Sequence, residues 1–148
     1  MNNLFEKKDV NIIKLSLELE TAVIDHVLQD DERIYVTEID FYPYWIQVLE
    51  SRGFVGLSTF TLFKASTTRR ERLEFCNKIN GQYFLINAYI ADDDTLRIDH
   101  MIPCRSGIIR ENFVRTCRQF SRNIVAAINE HDPDNQIILN PGEVESVS

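Results

Sequence analysis

Residues 68–129 decide the fold: TRRERLEFCNKINGQYFLINAYIADDDTLRIDHMIPCRSGIIRENFVRTCRQFSRNIVAAIN. Two stretches whose apolar residues recur about every 3.6 positions flank a stretch whose apolar residues alternate, which predicts helix, β-hairpin, helix. Thr68 and Glu71 have the spacing of a capping box, so the helix that precedes the hairpin should begin near residue 69 and end at Gly81, a residue suited to a left-handed cap. Its buried side is expected to carry Leu73, Cys76 and Ile79.

The hairpin strands are predicted at residues 83–90 and 95–102, with three aspartates in the turn between them. The last helix is predicted at about residues 109–129. A helix of this kind buries one apolar stripe and exposes the opposite side. The stripe is expected to be Phe113, Cys117, Phe120, Ile124 and Ile128.

The N-terminal part of the chain predicts one helix and three strands. Residues 11–28 form an amphipathic pattern, and runs at 33–39, 44–50 and 54–63 are rich in β-branched and aromatic residues. Together with the hairpin and its helices, the order is α-β-β-β-α-β-β-α. This order predicts an α+β fold, an antiparallel β-sheet flanked by helices. The stripe of the first helix is expected to be Leu15, Leu19, Ala22, Val23 and Val27.

With 148 residues, 44% hydrophobic and 26% charged, the chain has the size and composition of one globular domain. We expect a domain of residues 1–130 and a flexible tail of residues 131–148, in which Ile137, Ile138 and Leu139 are the expected docking point. The longest apolar runs fall well short of the roughly 20 residues that span a bilayer, so we expect no membrane partner. The N-terminus lacks the pattern of a secretory signal, which predicts a cytoplasmic location.

The net charge of −7 is unevenly distributed along the chain. Residues 1–50 carry 4 basic and 11 acidic side chains, residues 51–130 carry 12 basic and 8 acidic ones, and the four charges after His131 are all acidic. Binding to nucleic acid requires clustered lysine and arginine side chains that contact phosphates. The acidic balance therefore argues against a nucleic-acid partner.

The residues that commonly carry catalysis or bind metals are scattered. Cys76, Cys104 and Cys117 each lie in an apolar pattern without metal-ligand spacing, which predicts reduced core thiols. His26, His100 and His131 fall on three different predicted elements. The three aspartates at residues 92–94 lack the glycine and the glutamate of an EF-hand loop, so they are expected to form a solvated turn. We therefore expect no cofactor, no metal and no enzymatic activity.

Two groups of arginines are candidate partner-binding residues. Arg115, Arg118 and Arg122 recur on the side of the last helix opposite its apolar stripe, and Arg69 and Arg70 begin the second helix. They are either solvated faces or a docking strip for an acidic segment of a partner or of this chain's own N-terminal part. Cations are unfavourable at a helix N-terminus, so an anionic neighbour there would be stabilising.

Aromatic residues provide a second candidate surface. Tyr42, Tyr44 and Trp45 surround Pro43 at the entry to a predicted strand. So many rings in a short span belong either to the core or to an exposed patch that contacts a partner. If exposed, they would suit the capture of an extended peptide or the addition of a strand.

Five short segments carry a resemblance to a known family: residues 52–55, 76–79, 92–94, 107–108 and 111–113. Through them, residues 33–129 resemble a family of bacterial proteins, the YbjN-like family, described as regulators of sensory transduction, whose domain is similar to the type III secretion chaperone fold. One departure from the family pattern is Ile109, which stands where a hydroxyl residue is usual before the last helix.

The resemblance implies a non-catalytic module that binds other polypeptides, with chaperone-like or regulatory function and with a homodimer as one form. Two alternatives stay open. One is a type III secretion chaperone for an effector. The other is a small-ligand sensor domain with a pocket between the last helix and the sheet.

Overall fold

The structure, a computed structural model, describes residues 3–38 and 41–140. In these ranges the α-helices, numbered in chain order, are α1 (Ile12–Thr21), α2 (Arg69–Gln82) and α3 (Arg110–His131). The strands are β1 (Leu4–Phe5), β2 (His26–Gln29), β3 (Arg33–Val36), β4 (Tyr44–Leu49), β5 (Phe54–Thr61), β6 (Asn87–Ile90), β7 (Leu96–Pro103) and β8 (Ile108–Ile109).

The main sheet has six strands in the order β2-β3-β4-β5-β7-β6, and every neighbouring pair is antiparallel. Strands β1 and β8 form a separate two-stranded antiparallel pair. The predicted α+β class, with an antiparallel sheet flanked by helices, is confirmed. The predicted strand at 33–39 is observed as Arg33–Val36, and its expected end, Ile39, lies outside the described residues.

The two faces of the sheet differ in burial. The inner face contributes residues such as Ile34, Ile46, Leu57 and Ile98 to one hydrophobic core, in which the helices take part. The opposite side, which we call the outer face, contributes none of the residues of that core. A sheet covered on only one face leaves the side chains of the other face in contact with water.

Helix α3 covers much of the inner face. Its predicted stripe is confirmed, since Phe113, Cys117, Phe120, Ile124 and Ile128 are all buried. The ring of Phe120 meets that of Tyr44 edge-on at a centroid distance of 5.2 Å. The Ser121 hydroxyl donates a hydrogen bond of 2.9 Å to the carbonyl oxygen of Tyr42, which joins the helix to the start of β4.

Helix α2 begins as predicted but ends and packs differently. Thr68 and Glu71 form both hydrogen bonds of the capping box. The expected left-handed cap at Gly81 is wrong, because the helix continues to Gln82 and the chain leaves it in an extended conformation at Tyr83. Leu73 is exposed, and Phe75 takes its place in the core beside Cys76 and Ile79.

Helix α1 is shorter than predicted, because residues 26–29 form an edge strand of the sheet instead of a last helical turn. The Ile24 N–H bonds to the Leu19 carbonyl and the Val23 N–H to the Glu20 carbonyl, which is the Schellman pattern that closes helices. Val23, at the position usually held by glycine, has a φ of +58°. Val23 and Val27, expected in the buried stripe, are therefore exposed.

The described part of the predicted C-terminal tail packs against the domain. The carboxylate of Asp132 is buried and accepts hydrogen bonds from the backbone N–H groups of Gln136, Ile137 and Ile138. Ile138 is completely buried and forms an antiparallel bridge with Phe63. The expected docking of this segment is thus observed. Residues 141–148 lie outside the described residues, and the division at residue 130 remains a prediction.

Replacing Ile138 should show whether this segment belongs to the folding unit. Ile138→Ala removes a completely buried side chain, so the free energy of unfolding should fall by about 2–5 kcal/mol in urea titrations. Ile13 on α1 is half exposed, and Ile13→Ala should change this free energy by less than about 0.5 kcal/mol. Equal effects of the two variants would contradict the docking of the segment.

Replacing Val23 should relieve backbone strain at the end of α1. A β-branched residue is disfavoured at φ of +58°, whereas glycine adopts this conformation freely. Val23→Gly should therefore raise the midpoint of thermal unfolding, by an amount equivalent to about 1 kcal/mol. Val23→Ala removes the same methyl groups but keeps the Cβ atom, so it should raise the midpoint of thermal unfolding by a smaller amount.

Candidate functional site

Three aromatic rings form a stacked row across the outer face. The ring of Trp45 on β4 lies between Tyr35 on β3, at a centroid distance of 4.7 Å, and Phe60 on β5, at 5.5 Å. The Trp45 indole N–H donates a hydrogen bond of 3.0 Å to the side-chain oxygen of Gln29 on β2. The row therefore connects four neighbouring strands and is held in one orientation.

Two arginines lie over this row. The guanidinium of Arg33 is 5.9 Å from the centroid of the Trp45 ring, and that of Arg97 is 5.2 Å from the centroid of Phe60. Arg97 is fixed further by a salt bridge of 3.2 Å to Asp93. Cations over ring faces are favourable. Both guanidinium groups also keep N–H donors that can form hydrogen bonds with the carbonyl groups of a partner.

The outer face exposes several apolar side chains. The described helices lie on the other side of the sheet, with the core. Isolated exposed apolar residues are common, but a continuous group on one face usually marks an interaction site. Those exposed by 40% or more on this face or at its rim are Val27, Phe60, Leu62, Tyr89 and Met101.

The three aromatic residues that the sequence singled out do not lie on the same face of the sheet. Tyr42 and Tyr44 are buried on the core side, whereas Trp45 faces the opposite side of the sheet. Burial raises the pKa of the Tyr44 hydroxyl, with a further contribution from Cys117. Of the three, only Trp45 is therefore placed to contact a partner. Alternation along β4 accounts for this difference, because Tyr44 and Trp45 are adjacent residues of one strand.

The arginines of α3 line a groove of about 470 Å³ along the exposed side of the helix. Arg118 donates a hydrogen bond of 2.9 Å to the carbonyl oxygen of Ala22, the cap residue of α1. The guanidinium of Arg122 lies 5.7 Å from the centroid of the Phe41 ring, and Arg115 forms a salt bridge with Glu111. Each arginine therefore already has a partner within the chain.

Arg69 and Arg70 lie in the first turn of α2 and are exposed. Arg70 forms a salt bridge of 3.1 Å with Glu74, one turn further along the helix. Among the described residues, no hydrogen bond or salt bridge joins this pair to Arg115, Arg118 or Arg122. The two arginine groups expected from the sequence are thus two separate surfaces.

A serine and a histidine that the sequence did not connect are in contact. His26 Nδ1 donates to the Ile24 carbonyl oxygen at 2.7 Å, because that oxygen only accepts, and in the neutral ring Nε2 then accepts from the Ser16 hydroxyl at 2.7 Å. A nucleophilic serine also needs donors for the developing oxyanion. Ser16 lies inside α1, where the backbone N–H groups are engaged in the helix and do not supply these donors. We therefore interpret the pair as a structural contact that joins α1 to β2.

The cysteines lie in the core and are poor nucleophiles. Burial raises the pKa of the Cys76 thiol to about 11 and that of Cys117 to about 12, and it also raises the pKa of Cys104. All three are free thiols, as the sequence predicts. Because the thiolate is the reactive form, these raised values make the three thiols unreactive near neutral pH.

Cofactor and ligand sites have little support in the described ranges. No group of three or more His, Cys, Asp or Glu side chains there is arranged to hold a metal ion. The gap between α3 and the sheet, lined by Tyr42, Thr59, Ile98 and Ile128 among others, is too narrow to admit a water molecule. None of the helices described is long and apolar enough to cross a bilayer.

The hydrogen bond of Arg118 can be tested by a matched pair of variants. Arg118→Gln should lower the free energy of unfolding by about 1 kcal/mol, because the carbonyl of Ala22 at the end of α1 loses a charged donor. Arg115→Gln removes a salt bridge of exposed side chains and should cost less than about 0.5 kcal/mol. Urea titrations of both variants measure the difference, and an equal cost would contradict a structural role for Arg118.

Comparison with solved structures confirms the fold. The crystal structure of YbjN from E. coli, described as "a putative transcription regulator", is 17% identical to this chain, with a TM-score of 0.70 over 86% of this chain and 94% of that one. A chain of the HopA1–SchA chaperone–effector complex is 8% identical, with a TM-score of 0.56 over 80% of this chain and 90% of that one. The likeness to a type III secretion chaperone fold is therefore confirmed.

Comparison with sequences gives the family. No curated protein matches the chain in sequence. A family model matches residues 15–132, which include α2, α3, most of α1 and the whole six-stranded sheet. The chain belongs to the YbjN family, whose description is "Putative bacterial sensory transduction regulator".

Proposed function

We propose that this protein is a non-catalytic module, chaperone-like or regulatory, that binds another polypeptide through the outer face of its sheet. The observation that carries the proposal is the exposed apolar surface around the row of Tyr35, Trp45 and Phe60. A surface of this kind costs free energy in water and is stabilised when a partner covers it. Aromatic rings and arginines are also the side chains that most often dominate binding at interfaces.

The comparisons support a polypeptide partner. The family description is that of a regulator, and a chaperone–effector complex contains a chain of the same fold. The outer face offers apolar contact area together with Arg33 and Arg97, which can donate hydrogen bonds to a main chain. An extended or partly unfolded segment of a partner exposes both apolar side chains and carbonyl groups.

The arginines of α3 remain a second proposed contact, for an acidic segment. Their partners within the chain reduce what they can contribute, since Arg118 is engaged with α1 and Arg115 with Glu111. Each of these residues keeps further N–H donors, because a guanidinium has five. We assign Arg69 and Arg70 the same role at a separate surface.

The other parts of the proposal follow from the sequence and the family. We propose a cytoplasmic protein that binds neither nucleic acid nor membrane, and that can form a homodimer. A type III secretion chaperone for an effector is the more specific alternative, and export of a captured client that depends on this protein would distinguish it. A small-ligand sensor is less well supported, because the gap between α3 and the sheet does not admit even water.

Variants of the outer face test the proposal. In affinity capture from a native lysate at low and moderate salt, Phe60→Ser combined with Met101→Ser should remove most of a stoichiometric partner, because both exposed side chains lie on the outer face. The partner should be retained at both salt concentrations by the unchanged protein, since apolar contacts are little screened by salt. Mass spectrometry identifies and quantifies the retained protein.

The matched control combines Ile13→Ser with Leu17→Ser on α1, where both side chains are exposed to a similar extent. This variant should retain the partner. Thermal unfolding of each variant shows that it is folded before capture is compared. Equal retention by the two double variants would contradict binding through the outer face, and retention only at low salt would favour the arginines instead.

A further inference from the structure

The two edges of the six-stranded sheet differ in how their outward-pointing backbone groups are satisfied. At the β6 edge, the register with β7 turns the backbone groups of Ala88 away from the sheet. The side chain of Asn80 on α2 meets both of them, donating to the Ala88 carbonyl at 2.9 Å and accepting from the Ala88 N–H at 2.7 Å. A side-chain amide thus takes the place of a further strand at Ala88, and this part of the edge is occupied.

The β2 edge is open. The Thr37 N–H bonds to the Asp25 carbonyl, which places Asp25, Val27 and Gln29 at the positions that bond to β3. Because hydrogen-bonding positions alternate in an antiparallel pair, the N–H and C=O groups of His26 and Leu28 point away from the sheet. Within residues 3–38 and 41–140, no hydrogen bond satisfies them.

The surroundings of this edge favour a particular partner. A groove of about 460 Å³ lies between α1 and β2, and the described residues that line it include Glu20 and Asp25 but no lysine or arginine. The turn after β2 adds Asp30 and Asp31. The adjacent Arg33 is engaged over the ring of Trp45 on the outer face. Side chains that enter the groove therefore meet an acidic rim.

The same charges disfavour a second copy of the chain at this edge. Antiparallel pairing of β2 with its own copy would bring the acidic flanks at Asp25, Asp30 and Asp31 towards those of the other molecule. Like charges across paired strands are destabilising. The edge thus accepts a strand of opposite charge more readily than itself.

We infer that β2 binds, by strand addition, an extended peptide segment in which basic and apolar residues alternate. The basic side chains would enter the acidic groove beside Leu28 and the exposed Val23. The alternate set would lie on the outer face beside Val27, because side chains of a strand alternate between faces. The inference rests on the proposed function and names the site and chemistry of its partner.

Two labelled octapeptides test the inference: one alternates valine and lysine, and the other alternates valine and glutamate. In fluorescence anisotropy at moderate salt, the basic peptide should bind at least about tenfold more tightly than the acidic one. On binding, the amide protons of His26 and Leu28 should become protected from hydrogen exchange, because they gain carbonyl partners. Equal binding of the two peptides, no binding of either, or binding without this protection would overturn the inference.

Variants locate the peptide. Leu28→Pro removes a donor that points outward and leaves the bonds to β3 intact, so affinity for the basic peptide should fall at least about tenfold. Asp30→Asn with Asp31→Asn should weaken binding about threefold or more and reduce its salt dependence. The control, Asp92→Asn with Asp94→Asn in the β6–β7 turn, removes the same charge elsewhere and should leave the affinity unchanged.

The outer-face variant separates this inference from the proposed function. If Phe60→Ser with Met101→Ser weakens peptide binding and a folded Leu28→Pro protein does not, the peptide lies on the outer face, and strand addition is overturned while the proposed function stands. If capture of the natural partner is unaffected by the outer-face variant but the peptide protects His26 and Leu28, the proposed outer-face function fails and strand addition stands. A dimer that Leu28→Pro dissociates would overturn the inference, because a second copy would then occupy the edge.

Discussion

Coverage of the inner face of the sheet is the constraint on which the rest of the structure depends. The spacing of six neighbouring strands makes the sheet about 24 Å wide, and the 22 residues of α3 give a helix of about 33 Å. One amphipathic helix is therefore long enough to span it. Its buried stripe packs on rings such as Tyr44, and α1 and α2 complete the same core. With all three helices on the inner side, the outer face is left to solvent among the residues described.

The parts of the fold that depend on local pattern were predictable from the sequence. The stripe of α3 and the capping box at Thr68 are set by residues within a few positions of one another, and both are observed. The end of α1 was not predictable in this way. Val23 and Val27 continue the helical period, while Val27 fits a strand equally well. The chain ends the helix with a valine in the left-handed conformation, where glycine would have been a signal.

The remaining features depend on contacts between a side chain and a distant backbone group, which have no local signature. Arg118 caps α1 from 96 positions away, and Asn80 meets the backbone of Ala88 at the β6 edge only because of the register between β6 and β7. The candidate site shows the same limit. The sequence singled out Trp45 together with Tyr42 and Tyr44, but the stacked row became visible only when Tyr35 and Phe60 were aligned across neighbouring strands.

The difference between the two sheet edges also bears on self-assembly by strand pairing. An open strand edge is a template for further strands, and a sheet open at both edges can extend in both directions. Here Asn80 occupies the outward-pointing groups of Ala88 at one edge, and the acidic residues around β2 oppose pairing of the other edge with its own copy. In the composition, the acidic residues of the N-terminal part only lower the net charge. Their position around β2 would let them select which partner binds there.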